Sequence, residues 1–131
     1  MYRNSAQQPT VNYQADLGSD TQVVGNVYLR RNRALRYQLQ VRYLRNIRSV
    51  RLRLGSSGGP VVSYLYGPTF GGGSRIVNAS GTISDCDLRG PLKGRSVSIL
   101  VNEMNRGNVW ADVATIEQPY GAAVGRVYRK R

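Results

Sequence analysis

The most regular pattern in the chain runs from Leu35 to Tyr43. Leu35, Tyr37, Leu39, Val41 and Tyr43 alternate with Arg36, Gln38, Gln40 and Arg42. A period of two over that length predicts a strand with one face buried and one in water. It puts Tyr37 and Tyr43 on the core face and Arg36 and Arg42 on the wet face. Looser alternation predicts strands at Val11–Ala15, Gln22–Leu29, Val50–Leu54, Val61–Tyr66, Val77–Ile83, Asn108–Thr115 and Val124–Tyr128. Between them stand turn clusters: LGSD at 17–20, RRNRA at 30–34, GSSGGP at 55–60, GPTFGGGS at 67–74 and PYGAA at 119–123.

At Ser84 the period changes. Ser84 with Asp87 three residues on has the form of a capping box, with acids in the first turn. Gly90 and Pro91 end that turn, and Leu92 to Gly94 is a linker. Val97, Leu100, Val101 and Met104 then fall at helical spacing, and Gly107 stops the helix. The predicted class is mainly β. It is an antiparallel, Greek-key-like β-sandwich or partly closed barrel with one or two short helices in the C-terminal third. The 131 residues suit one core. Residues 1–10 are expected to form a flexible arm before a single domain at 11–131. In an assembly, that arm would lay Val11 and Tyr13 into a neighbour's sheet.

Charge changes the picture. Lys and Arg number 19 against 7 acids, for a net charge of +12. Only Lys93 and Lys130 are lysine, so 17 are arginine, and residues 21–84 hold ten arginines and no acid. Such a field is expected to meet solvent, a polyanion or a partner's acidic surface. Arginine favours bidentate capture of carboxylate or phosphate. In the stretch NIRSVRLRLGSSGGPVVSYL, Arg51 and Arg53 lie two apart and share one strand face, while Val50, Leu52 and Leu54 take the other.

Other residues narrow the chemistry. The chain has no histidine and one cysteine, Cys86, read as a small apolar filler beside the short helix. Histidine general bases, the Ser-His-Asp triad and the usual zinc or copper ligand sets are therefore not expected. GSSGG and GGG lack the GK[ST] ending of a phosphate loop. Asp85 and Asp87 are explained by helix capping. Tyr64 and Tyr66 form a candidate contact pair, and Trp110 is an anchor in either the core or an interface. No cofactor is expected. No apolar run nears the roughly 20 residues that span a bilayer, and MYRNSAQQPTVNYQ has no apolar core of a secretory signal.

From about Tyr13 to Val127 the chain resembles the CHRD (chordin) domain family. LRYQLQVRYLRNI resembles the family's long tyrosine-bearing strand. SVRLRLGSSGGPVVSYLYGP resembles its segment of the form AHIHxGxxGxNGPVVxxLFGP. SGTISDCDLRGPLKGRSVSILVNEMNRGNVWADVATIEQPYGAAVGRV follows the spacing GTI, DL, GPL, helix, RGN, V, T, P, G, G. The family's two histidines in AHIH fall on Arg51 and Arg53, its third on Ala114, and the Glu and Arg of its GEIRG on Ala122 and Val124. Its Glu-Val-Pro segment has no counterpart before Gly25. Any histidine-based chemistry is thus lost, and a site here would suit an anion. The resemblance implies a binding or scaffold module at a spore or cell surface, as in animal chordins that bind growth factors and in bacterial proteins, many from spore formers.

Together these readings predict a non-catalytic structural or binding module that self-assembles as a homo-oligomer or polymer. The alternative is a protein that binds nucleic acid or another polyanion, though no nucleic-acid motif is present. An acidic protein is a further candidate partner. The expected contact residues are Arg51, Arg53, Arg36, Arg42, Tyr64, Tyr66 and Trp110, with Val11 and Tyr13 on the arm. Replacing Arg51 and Arg53 by alanine is expected to leave the fold intact and weaken association.

Overall fold

The structure is a computed structural model that describes residues 10–19, 22–69 and 73–130. Among them are nine strands and one helix: β1 Val11–Ser19, β2 Gln22–Asn32, β3 Ala34–Val41, β4 Ile47–Leu54, β5 Val61–Tyr66, β6 Val77–Ile83, α1 Val97–Asn105, β7 Val109–Thr115, β8 Ala123–Arg126 and β9 Tyr128–Lys130. Two 3-10 turns, Asp85–Asp87 and Gly90–Leu92, lie between β6 and α1. Every strand pairing is antiparallel. The strands run in the order β5-β4-β7-β8-β1-β2-β3-β6, with β9 also paired to β1. The sheet curls until its end strands β5 and β6 approach each other, giving a nearly closed barrel.

The seam between those two strands is closed by side chains. Tyr37 on β3 reaches across and donates its hydroxyl to the Leu65 carbonyl of β5 at 2.7 Å. Its ring lies over Gly81 of β6, where an added Cβ would come within 2.9 Å of the phenol oxygen. Only glycine leaves room for that crossing. Burial pushes the Tyr37 phenol pKa up, and Asp87 adds to the rise. Past the first 3-10 turn, the Arg89 N–H donates to the Val62 carbonyl at 2.9 Å and covers part of the β5 edge.

The capping box at Ser84 is present, with the Ser84 N–H donating to Asp87 Oδ2 at 2.8 Å. Asp85 serves the next helix: its Oδ1 accepts from the Val97 N–H at 2.8 Å, satisfying one orphan donor of α1. The helix ends at Gly107, which takes φ +75. It buries Val97, Leu100 and Met104 close to β7 and β9. Inside the barrel Leu17, Leu29, Leu39 and Leu52 are fully buried. Each such side chain contributes about 1.5–3 kcal/mol relative to leaving it in water.

Several expectations are corrected. Val11 and Tyr13 do not belong to an arm: β1 pairs with β2 on one side and with β8 and β9 on the other. Val11 packs against the core of its own chain, and Tyr13 is 2% exposed with its hydroxyl donated to Asn105 Oδ1 at 2.6 Å. The rest of the predicted arm, apart from Thr10, lies outside the described residues. RRNRA is not a five-residue turn, because β2 continues through Asn32 and β3 starts at Ala34, with only Arg33 (φ +64) at the tip. β3 stops at Val41, and the backbone turns left-handed at Tyr43 (φ +65), which leaves that ring 74% exposed and out of the core. The last predicted strand, Val124–Tyr128, divides: β8 ends at Arg126, and Arg129 and Lys130 join Tyr128 in β9.

No described helix is long and apolar enough to cross a membrane.

Candidate functional site

Arg51 and Arg53 share one face of β4, and the face is closed. Arg51 lies directly across from Asp112 of β7. Its Nε donates to Asp112 Oδ1 at 2.9 Å and its Nη2 to Oδ2 at 2.8 Å, a bidentate pair. Arg53, diagonal on the same face, donates Nε to Asp112 Oδ2 at 2.7 Å. Its other nitrogens reach the Gly59 carbonyl at 2.6 Å and the Tyr120 carbonyl at 3.3 Å. Both arginines are 8% exposed and Asp112 is 1% exposed. The expectation that this pair meets a partner is therefore corrected. The bonds they make go to one buried carboxylate and two loop carbonyls, which ties β4, β7 and the loops around Gly59 and Tyr120 into one clamp.

The remaining arginines of the 21–84 segment are distributed differently. The outward face of β9, β1, β2 and β3 is a grid fixed by strand register. One row reads Lys130, Asn12, Arg30, Arg36: Asn12 lies opposite both Lys130 and Arg30, and Arg30 opposite Arg36. The next row reads Tyr128, Gln14, Tyr28, Gln38, and β6 adds Ser80 beside Gln38. Lys130, Arg30 and Arg36 are exposed and make no salt bridge among the described residues. Two like charges directly opposite on neighbouring strands repel. A cleft of about 440 Å³ opens here, lined among others by Asn12, Tyr28, Arg30, Arg36, Gln38 and Lys130. The Lys130 ammonium stands 5.8 Å from the Tyr28 ring centroid.

Asp16 is the one carboxylate that the register puts on this face among the described residues, and it is engaged. It accepts from Gln14 Nε2 and Asn26 Nδ2, each at 2.7 Å, and from the Tyr128 hydroxyl at 3.4 Å. The same holds elsewhere. Asp85 and Asp87 cap backbone N–H groups, Glu103 accepts from Arg106 and Asn108, and Glu117 accepts from Asn46. Every acid among the described residues thus has a donor within its own chain.

Of the other predicted contact residues, Arg36 stands in the basic row. Arg42, exposed just past β3, donates to Gln40 Oε1 at 3.1 Å and borders a second cleft of about 530 Å³ with Tyr43, Arg45, Arg75 and Ile76. Tyr64 is half-buried on β5 with the Arg89 guanidinium 5.1 Å from its ring centroid. Tyr66 packs against the core. Trp110, half-buried on β7, has Arg126 at 5.8 Å from its ring centroid. These three rings do not gather into one patch with the basic row. No group of three His, Cys, Asp or Glu side chains gathers among the described residues.

Sequence reasoning missed Asp112, Arg30, Lys130, Tyr28 and Tyr128. For Arg30 a signal existed, since the alternation through Val27 and Leu29 continues without a break into RRNR.

No family model matches the chain, and neither a curated protein nor a solved structure matches it.

Proposed function

We propose that this chain is a non-catalytic binding module that takes up a polyanion on the outward face of β9, β1, β2 and β3. The observation that carries this reading is the row Lys130, Arg30, Arg36, three exposed cations with no carboxylate partner among the described residues. Holding Arg30 opposite Arg36 costs free energy in the free protein. An anion bridging the two would reverse the sign of that interaction.

Self-assembly through contacts between arginine and carboxylate is the weaker reading. It needs free acids on a second copy, and each described acid already has a donor in its own chain. The resemblance to the CHRD domain accords with a binding module and supplies no chemistry for it.

The test is binding of heparin as a sulfated polyanion, followed against salt. Affinity is expected at about 50 mM salt, with log K falling linearly as log salt rises and a slope of at least about −2 for three displaced counterions. Arg30→Ala with Arg36→Ala should flatten that slope. Failure to bind at about 50 mM salt would end the proposal.

A further inference from the structure

We propose that the polyanion is a single-stranded nucleic acid, whose bases stack on Tyr28 and Tyr128 while its phosphates lie along Lys130, Arg30 and Arg36. This inference rests on the polyanion reading above and goes beyond it, because it gives a role to the second row of the grid.

Tyr28 and Tyr128 are the two residues opposite Gln14, one on each neighbouring strand. They therefore project from the same side of the sheet, two strand spacings apart, or about 9–10 Å. Tyr28 is 40% exposed and Tyr128 is 44% exposed, so both rings offer surface to a ligand. Most tyrosines in cores are covered, and a pair left open on a sheet face is the arrangement by which base faces are held without sequence preference. The basic row runs parallel to the tyrosine row and two residues away along each strand, about 6.7 Å. That displacement is of the size that separates a base from its own phosphate. A ladder of rings flanked by a ladder of cations is the two-part recognition that single strands require.

The spacing also selects against a duplex. In a duplex the bases are stacked on one another and paired, with their faces hidden. Two rings some 9–10 Å apart on a pleated surface engage bases only when the strand is splayed. Gln38, exposed on β3 directly beside Tyr28, offers its amide group to base edges. An acidic polysaccharide would use the basic row and leave the tyrosine row without a role.

The experiment measures fluorescence anisotropy of a labelled oligothymidylate, with heparin and a duplex of equal length as comparison ligands, on the full chain. Wild type is expected to bind the single strand more tightly than the duplex. Tyr28→Ala with Tyr128→Ala should weaken single-strand binding at least about tenfold, while heparin affinity shifts less than about twofold, because its binding is set by phosphate-like charge. Tyr28→Phe with Tyr128→Phe keeps the ring faces and should retain the single-strand affinity. It also guards against a folding defect being taken for lost stacking. Heparin bound with no binding of oligothymidylate would overturn this inference and leave the polyanion reading standing. Tyrosine variants that bind the single strand as wild type does would do the same. Binding of neither ligand at low salt would overturn both.

Discussion

Two pairs of arginines in this barrel look alike on paper and behave as opposites. Arg51 and Arg53 stand two apart on β4, are 8% exposed, and converge on Asp112. Arg30 and Arg36 face each other across β2 and β3, are exposed, and make no salt bridge among the described residues. The first pair is held by its own chain, and the second leaves its charge facing outward. Charge density along the sequence is the same signal in both cases. What separates them is whether the fold brings a carboxylate to the guanidinium groups. Function is therefore to be sought where the arginines lack an internal partner.

The largest expected effect breaks the first pair. Asp112→Ala leaves two buried guanidinium groups facing each other without their shared anion. Removing one side of a buried charge pair typically costs about 3–5 kcal/mol. The loss should show as a lower urea midpoint at unchanged slope. Arg51→Ala with Arg53→Ala strands the Asp112 carboxylate instead and should destabilise to a similar degree. That reverses what the sequence alone predicts for these two changes. Replacing all three residues by apolar side chains of similar volume should recover much of the loss, since such exchanges are often neutral. A double arginine variant as stable as wild type would show that the clamp contributes little.

The parts of the fold legible from sequence are those whose signal is local. The alternation at Leu35–Val41 and the helical spacing of Val97, Leu100 and Met104 each lie within one element, and both elements form. The capping box at Ser84 spans three residues and forms as well. The clamp was hidden because Asp112 lies 61 residues from Arg51 and 59 from Arg53. A count of charges in a window cannot register a partner at that separation. The basic row was hidden for a different reason. RRNR has the composition of a turn, yet the hairpin tip needs only Arg33 in the left-handed region, so the flanking arginines stay in register as strand. Lys130 has the look of a tail residue until β1 supplies Asn12 as its partner.

Alkali sharpens the comparison from another side. The phenols of Tyr13 and Tyr37 respond to it. Burial raises both phenol pKa values above the ordinary 10.0. In the unfolded chain these phenols release protons near pH 10, while in the fold they hold them longer. The unfolded state then binds fewer protons, so stability is fully present below about pH 10 and falls as pH rises through the folded values. Each phenol contributes at most about 1.4 kcal/mol per pH unit. Tyr37→Phe should remove its share of that slope, at the cost of about 0.5–1.5 kcal/mol at neutral pH for the lost hydrogen bond to Leu65. An unchanged alkaline slope in Tyr37→Phe would show that other groups dominate.

The smallest expected effect concerns the second pair and decides whether it differs in kind from the first. Arg36→Ala removes a like charge from directly opposite Arg30, and nothing in the described structure depends on its guanidinium for a hydrogen bond or ion pair. Stability should therefore stay within about 0.5 kcal/mol of wild type, with any gain seen at low salt. At about 1 M salt, where the Debye length shrinks to roughly 3 Å, the gain should vanish. Arg36→Glu goes further by placing opposite charges across the strands and should stabilise by about 0.2–1 kcal/mol. The same change should abolish polyanion binding, so stability and binding move in opposite directions. If either Arg36 variant instead loses more than about 1 kcal/mol, then this pair also serves the fold, and its lack of a carboxylate partner no longer marks a binding surface.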